Sequence, residues 1–104
     1  MIRLVQDKYD ELARLCRKYH VKRLEIFGSA ASDNFDPASS DLDFLVQFEP
    51  CPPSDHYERY FGLLESLQTL FGHSIDLVEA NALKNPYFIK RVNQSRTPIY
   101  HPPI

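Results

Sequence analysis

Residues 42–48, Leu-Asp-Phe-Leu-Val-Gln-Phe, are the stretch that most narrows the fold. Strand side chains alternate in direction, and in the middle of this run apolar side chains fall on both faces. A strand apolar on both sides belongs in the interior of a sheet covered by helices. A chain of 104 residues holds one hydrophobic core, so residues 1–104 are expected to form a single domain.

The flanking segments supply the rest of a small α/β fold. Val5, Tyr9, Leu12, Cys16 and Tyr19 recur at helical spacing, which predicts one amphipathic helix at the start. Leu24-Glu25-Ile26-Phe27 is a short strand that stops at Gly28-Ser29, and residues 30–40 leave room for one helical turn. Pro50, Pro52 and Pro53 end the Leu42–Phe48 strand. Asp55 followed by Glu58 resembles a capping box, and Tyr57, Tyr60, Phe61, Leu64, Leu67 and Phe71 then read as the core face of a helix. Gly72 is the expected stop of that helix. Residues 74–79, Ser-Ile-Asp-Leu-Val-Glu, form a third strand. Asn85-Pro86 opens a last helix to about Gln94, and Thr97–Tyr100 is a final short strand.

Connection lengths set the topology. The first two strands are joined closely enough to be antiparallel neighbours. A full helix separates the second and third, so those two run parallel with a right-handed crossover. The expected architecture is a mixed sheet of about four strands packed with three main helices. This arrangement brings Gly28, Ser29, Asp41, Asp43 and Asp76 to one edge of the sheet.

Asp41 and Asp43 lie a strand-step apart on the same face, where two carboxylates repel unless a cation lies between them. Taken alone, Asp41 reads as a loop cap and Asp43 as a solvated strand end. Asp76, on the strand alongside, weakens that reading. Three carboxylates suit Mg²⁺, which takes oxygen ligands and is commonly held by one or two carboxylates together with substrate phosphates. A glycine at a strand end can provide a positive φ or a close approach to phosphate.

Composition excludes several classes. The formal charge of −2, from 12 basic and 14 acidic residues, argues against a broad nucleic-acid surface. No apolar run approaches the roughly 20 residues of a membrane span, and the first residues lack the apolar core of a secretory signal. Cys16 and Cys51 lack metal-site spacing, and free thiols in the cytoplasm are the simple expectation. His20, His56, His73 and His101 are scattered without zinc-like spacing. Lys84, Lys90, Arg91 and Arg96 give the C-terminal segment a basic face that reads as solvated or as a contact for a partner or nucleotide.

The ordered set Phe27-Gly28-Ser29, Asp41-Leu42-Asp43-Phe44 and Ile75-Asp76-Leu77 resembles the signature of the DNA polymerase β-type nucleotidyltransferase superfamily. The length and the C-terminal VEANALKNPYFIKRV…TPIY are similar to its minimal nucleotidyltransferase (MNT-type) group. The resemblance implies that Asp41 and Asp43 bind metal. It implies that Asp76 is a third carboxylate, which ligates one metal and helps to deprotonate the attacking hydroxyl. Gly28 and Ser29 would cradle nucleotide phosphate. Many MNT-type proteins are antitoxins that transfer AMP from ATP to a tyrosine of a HEPN-domain toxin. The resemblance therefore implies two Mg²⁺ ions, ATP as substrate, a toxin partner and homo- or hetero-oligomers, with no nucleic acid and no membrane.

Two departures bear on this. Relatives often carry a basic residue after the Gly-Ser pair, where this chain has Ala31-Ser32-Asp33-Asn34. The last helix often carries a glutamate, where this chain has Val92-Asn93-Gln94-Ser95. The alternative is an MNT-fold binding module that neutralises its partner by covering it.

Overall fold

The computed structural model describes residues 3–31 and 41–101, without the side chains of Ser29 and Ala30. The elements run α1 (Arg3–Asp7), α2 (Tyr9–Lys18), β1 (Val21–Phe27), a 3₁₀ turn (Gly28–Ala31), β2 (Leu42–Phe48), α3 (Pro53–Phe71), β3 (Ile75–Glu79), a second 3₁₀ turn (Ala80–Ala82), α4 (Pro86–Ser95) and β4 (Thr97–Tyr100).

The four strands form one mixed sheet in the order β3-β2-β1-β4. β1 is antiparallel to both β2 and β4, and β2 is parallel to β3. The doubly apolar strand β2 is thus interior, as its pattern requires. Pro98, which has no N–H to give a ladder, sits on the edge strand β4.

Alternation along the strands sorts the side chains into two layers. Leu24, Ile26, Leu42, Phe44, Val46 and Leu77 face α2 and α3 and pack with Leu12, Cys16, Leu63, Leu67 and Phe71. The rings of Phe44 and Phe71 stack at 5.9 Å. Phe27 and Leu45 face the other way, against Val92 of α4, with Val78, Leu83 and Phe88 around them. Gly62 lets α2 and α3 close together, because a Cβ there would run into the Tyr19 ring.

The capping pattern is mixed. Gly72 ends α3 with φ 65°, the left-handed conformation open to glycine. The Asn85 side chain accepts from the N–H groups of Tyr87 (2.9 Å) and Phe88 (3.4 Å) at the start of α4.

Three expectations are corrected. The first helix is two, because Lys8 (φ −108°, ψ 14°) leaves helical geometry. The capping box at Asp55 does not form; α3 starts earlier, with Pro53 in its first turn, where a proline costs no hydrogen bond. Two rings of the aromatic cluster of α3 are not core, while Tyr60 packs against the core. Tyr57 is 67% and Phe61 47% exposed, while Leu63, Leu67 and Phe71 are buried. The same turns place His56 against Phe48 and Tyr60 on Leu77, so the early helix does meet the sheet; Tyr57 and Phe61 are rotated onto the flank of the stripe that Leu63 and Leu67 bury.

Candidate active site

The register places Phe27 opposite Asp43 and Asp43 beside Asp76, so these three residues form one row across β1, β2 and β3. By strand alternation the row lies on the α4 face, with Phe27 inside that core layer. Asp41 precedes β2 by one residue and shares the side of Asp43. Of the carboxylates expected at one edge, Asp43 and Asp76 are in register, and Asp41 lies one step beyond them on the same side.

Asp43 is half-buried, whereas Asp41 and Asp76 are exposed. Burial, then the charges of Asp76 and Asp41, push the Asp43 carboxyl up to about 6; Arg91 of α4 opposes this. A carboxylate driven toward its protonated form by its neighbours is one that a cation would relieve. Among the described residues, no three His, Cys, Asp or Glu side chains are gathered closely enough to hold a metal ion. Asp41 and Asp43 on one side are a pair of the kind that, with substrate phosphate and water, commonly holds Mg²⁺.

Gly28 touches this row directly. Its φ is 70°, and a Cβ built on it would lie 2.5 Å from Oδ2 of Asp43. Glycine is required here on two counts, a left-handed backbone and the close approach of the carboxylate. The Gly28 N–H donates to Oγ of Ser95 on α4 (2.9 Å), so it is already used within the chain. The backbone of Ser29 lies in the first 3₁₀ turn. The Ser29 hydroxyl and the loop residues Ser32, Asp33 and Asn34 fall outside what the structure describes.

One charged cluster on this face has no sequence signal. Glu25 is only 3% exposed and is held by Arg96, whose Nε donates to Oε2 (2.5 Å) and Nη2 to Oε1 (2.9 Å). Arg96 also donates from Nη1 to Oδ1 of Asn93 (2.9 Å). The two partners are 71 positions apart. A bidentate fork of this kind fixes the direction of α4 on the sheet.

Other candidates fall away from the row. The Cys16 thiol is buried and pushed up to about 12, which leaves it unreactive. Cys51 is a free, half-buried thiol. His56 pairs with Glu79 (2.8 Å) at the far end of β3. A cavity of about 620 Å³ lies between α2 and α3, bounded by Leu15, Tyr19, Gly62 and Leu70, and shares no residue with the carboxylates. Among the described residues no helix is long and apolar enough to cross a membrane.

A family model described as a nucleotidyltransferase domain matches residues 11–99. The chain belongs to this family. A Methanocaldococcus jannaschii protein named "Putative protein adenylyltransferase MJ0128" is 41% identical over 80 residues, spanning 77% of this chain and 78% of that one. A solved structure described as a "putative minimal nucleotidyltransferase" is 28% identical, covers 93% of this chain and 96% of its own, and has a TM-score of 0.69. The complex of a tri-AMPylated Shewanella oneidensis HEPN toxin with an MNT antitoxin contains the same fold. There the TM-score is 0.61 at 16% identity, with 93% of this chain and 72% of that one covered. The nucleotidyltransferase match spans every residue of the carboxylate row and the Gly28 turn. The minimal nucleotidyltransferase fold is thus the fold of this chain.

Proposed function

We propose that this nucleotidyltransferase transfers AMP from ATP to the hydroxyl of a tyrosine on a HEPN-domain toxin and thereby acts as that toxin's antitoxin. The observation that carries the reading is the register of Asp43 with Asp76, with Asp41 on the same side and Gly28 packed against the Asp43 carboxylate. The name of the M. jannaschii relative supports adenylyl transfer. The AMPylated state of the toxin in the S. oneidensis complex supports both the transferred group and the kind of partner.

Asp41 and Asp43 would hold Mg²⁺, with Asp76 completing the set for a second ion. Bound there, the cations would neutralise the charge of the phosphate oxygens and of the departing pyrophosphate. Asp76 accepts the proton of the acceptor hydroxyl. The hydroxyl oxygen forms its bond to the α-phosphorus, and the bond to the bridging oxygen of the β-phosphate breaks. Pyrophosphate leaves with that electron pair. Gly28 keeps the turn low, so phosphate can approach the row, and the Ser29 hydroxyl donates to phosphate oxygens. The chain orients groups and supplies charge, and positioning of this kind carries most of phosphoryl-transfer catalysis. Because β3 is an edge strand and Asp76 is exposed, an acceptor carried by another chain can reach the proton-accepting oxygen.

The test is co-expression with the toxin partner, followed by intact mass measurement of that partner. AMP-sized additions with the wild-type chain, absent with Asp41→Asn/Asp43→Asn, are expected. A toxin that is bound tightly yet unmodified by the wild-type chain would overturn enzymatic transfer in favour of the binding module.

A further inference from the structure

The carboxylate row presents a charge problem. A nucleoside triphosphate brings several negative charges to a face that already holds three carboxylates. The sequence between Ser29 and Asp41 carries Asp33 and Asp36 and no lysine or arginine. A side-chain cation elsewhere on this face would answer the phosphates that the metal ions do not.

The docking of α4 shows where that cation is. Phe88, Val92 and Ser95 lie along the helix stripe that meets the sheet. Phe88 packs edge-on against Phe27 with centroids 6.0 Å apart, Val92 is buried with Phe27 and Leu45, and Ser95 accepts from Gly28. The two flanks of this stripe face different ends of the sheet. Asn93 occupies one flank and accepts from Arg96, the residue that caps the helix and descends to Glu25. Glu25 is two residues back along β1 from Phe27, on the side away from the carboxylates. Arg91 precedes Val92 by 100° of helix rotation and so occupies the opposite flank, toward Asp43. It is exposed, and among the described residues it makes no hydrogen bond or ion pair at contact distance. Its charge is nevertheless felt at Asp43, which it draws back down.

Resting on the reading of the site as a nucleotidyltransferase centre, we propose that the Arg91 guanidinium binds the β- and γ-phosphates of the incoming triphosphate, supplying from α4 the cation that the loop after Gly28-Ser29 lacks. A guanidinium presents a planar fork of donors that matches phosphate oxygens, and it stays charged at any working pH. A contact to the leaving phosphates discriminates by phosphate number. It is made by ATP, partly by ADP, and not by AMP.

The experiment is isothermal titration of ATP, ADP and AMP, each with Mg²⁺, into the full chain as wild type, Arg91→Ala, Arg91→Lys and Lys90→Ala, with a thermal melt of each. Lys90 lies 200° around α4 from Val92, on the far side of the helix, and serves as the neighbouring-charge control. The expected result is that Arg91→Ala weakens ATP by about tenfold, ADP by less and AMP not at all. Arg91→Lys is expected to be intermediate and Lys90→Ala unchanged, with melting temperatures alike. Equal losses for ATP and AMP, or undiminished ATP binding in Arg91→Ala, would overturn the role of Arg91 while leaving the nucleotidyltransferase reading in place. Absence of ATP binding by the wild-type chain would overturn both.

Discussion

Two groups of carboxylates lie on the same face of the sheet, and the chain treats them oppositely. Glu25 is buried and gripped by both ends of the Arg96 fork, so its charge is answered from within. Asp43 and Asp76 stand one row further along, with Asp41 just beyond; their charges push on Asp43, and the Arg91 guanidinium opposes this at a distance. The first arrangement holds α4 to the sheet. The second is left short of positive charge, which is the condition for taking up a cation and a phosphate chain. A carboxylate matched inside the protein is a fastening; one left unmatched in the same layer is a site.

The strongest way to break this contrast is to unmatch the fastening. Arg96→Ala strands Glu25 in a nearly dry position, with Arg23 at 3.9 Å its one remaining cation among the described residues. Urea unfolding is expected to show a loss of about 2–3 kcal/mol, less than for a fully buried pair because Arg96 itself is partly exposed. An unchanged midpoint would mean that the pair is not what docks α4.

Gly28→Ala attacks the junction between the two groups. The added methyl meets both an unfavourable φ and the Asp43 carboxylate. A stability loss of about 1–2 kcal/mol is expected, together with a fall of about tenfold or more in AMP transfer as the carboxylate is displaced. Retained transfer in a destabilised Gly28→Ala protein would separate the turn from the chemistry.

The site carboxylates should behave in the reverse sense. Asp43 has a raised value of about 6 against an ordinary 3.8, so the native state binds more protons than the unfolded state between those limits. Stability contributed by this group therefore falls as pH rises from about 4 to about 6, and the penalty is complete above that window. Asp43→Asn removes it, and without metal the variant is expected to be more stable than wild type at pH 7. Solvent screening of a half-buried carboxyl keeps the gain to about 1 kcal/mol. Equal stability at pH 4 and a gap at pH 7 would be the signature.

The smallest effect is the most direct comparison. Mg²⁺ alone should raise the melting temperature of wild type slightly, by linkage, and that of Asp43→Asn less. An equal rise in both would place the bound cation elsewhere on the chain.

Much of this contrast was legible in the sequence on one side only. The carboxylate row follows from period-2 alternation and from the lengths of two connections, and those are local rules. The Asn85-Pro86 start of α4 and the Gly72 stop of α3 follow equally from single-residue backbone preferences. The Glu25–Arg96 fork joins residues 71 apart, and no periodicity announces which of several basic side chains will reach back to a strand. The same limit explains Tyr57 and Phe61. Their spacing matches a buried stripe, but the stripe that meets the sheet is centred on Leu63 and Leu67, and these two rings fall on its flank. The capping box at Asp55 lost to prolines just upstream, which begin a helix without needing a side-chain cap. The role of Ser95 was hidden for a similar reason, since a serine near a helix end has no signature that predicts a bond to a distant glycine.

That bond gives the molecule a built-in reporter. The Gly28 amide is protected by an oxygen of α4, at the far end of the chain from β1. Its exchange with deuterium requires that bond to open, whether the Ser95 side chain turns away or the end of the helix lifts. One proton in a strand-end turn thus reads how firmly the end of α4 is seated, and a bound nucleotide that holds it down would slow its exchange.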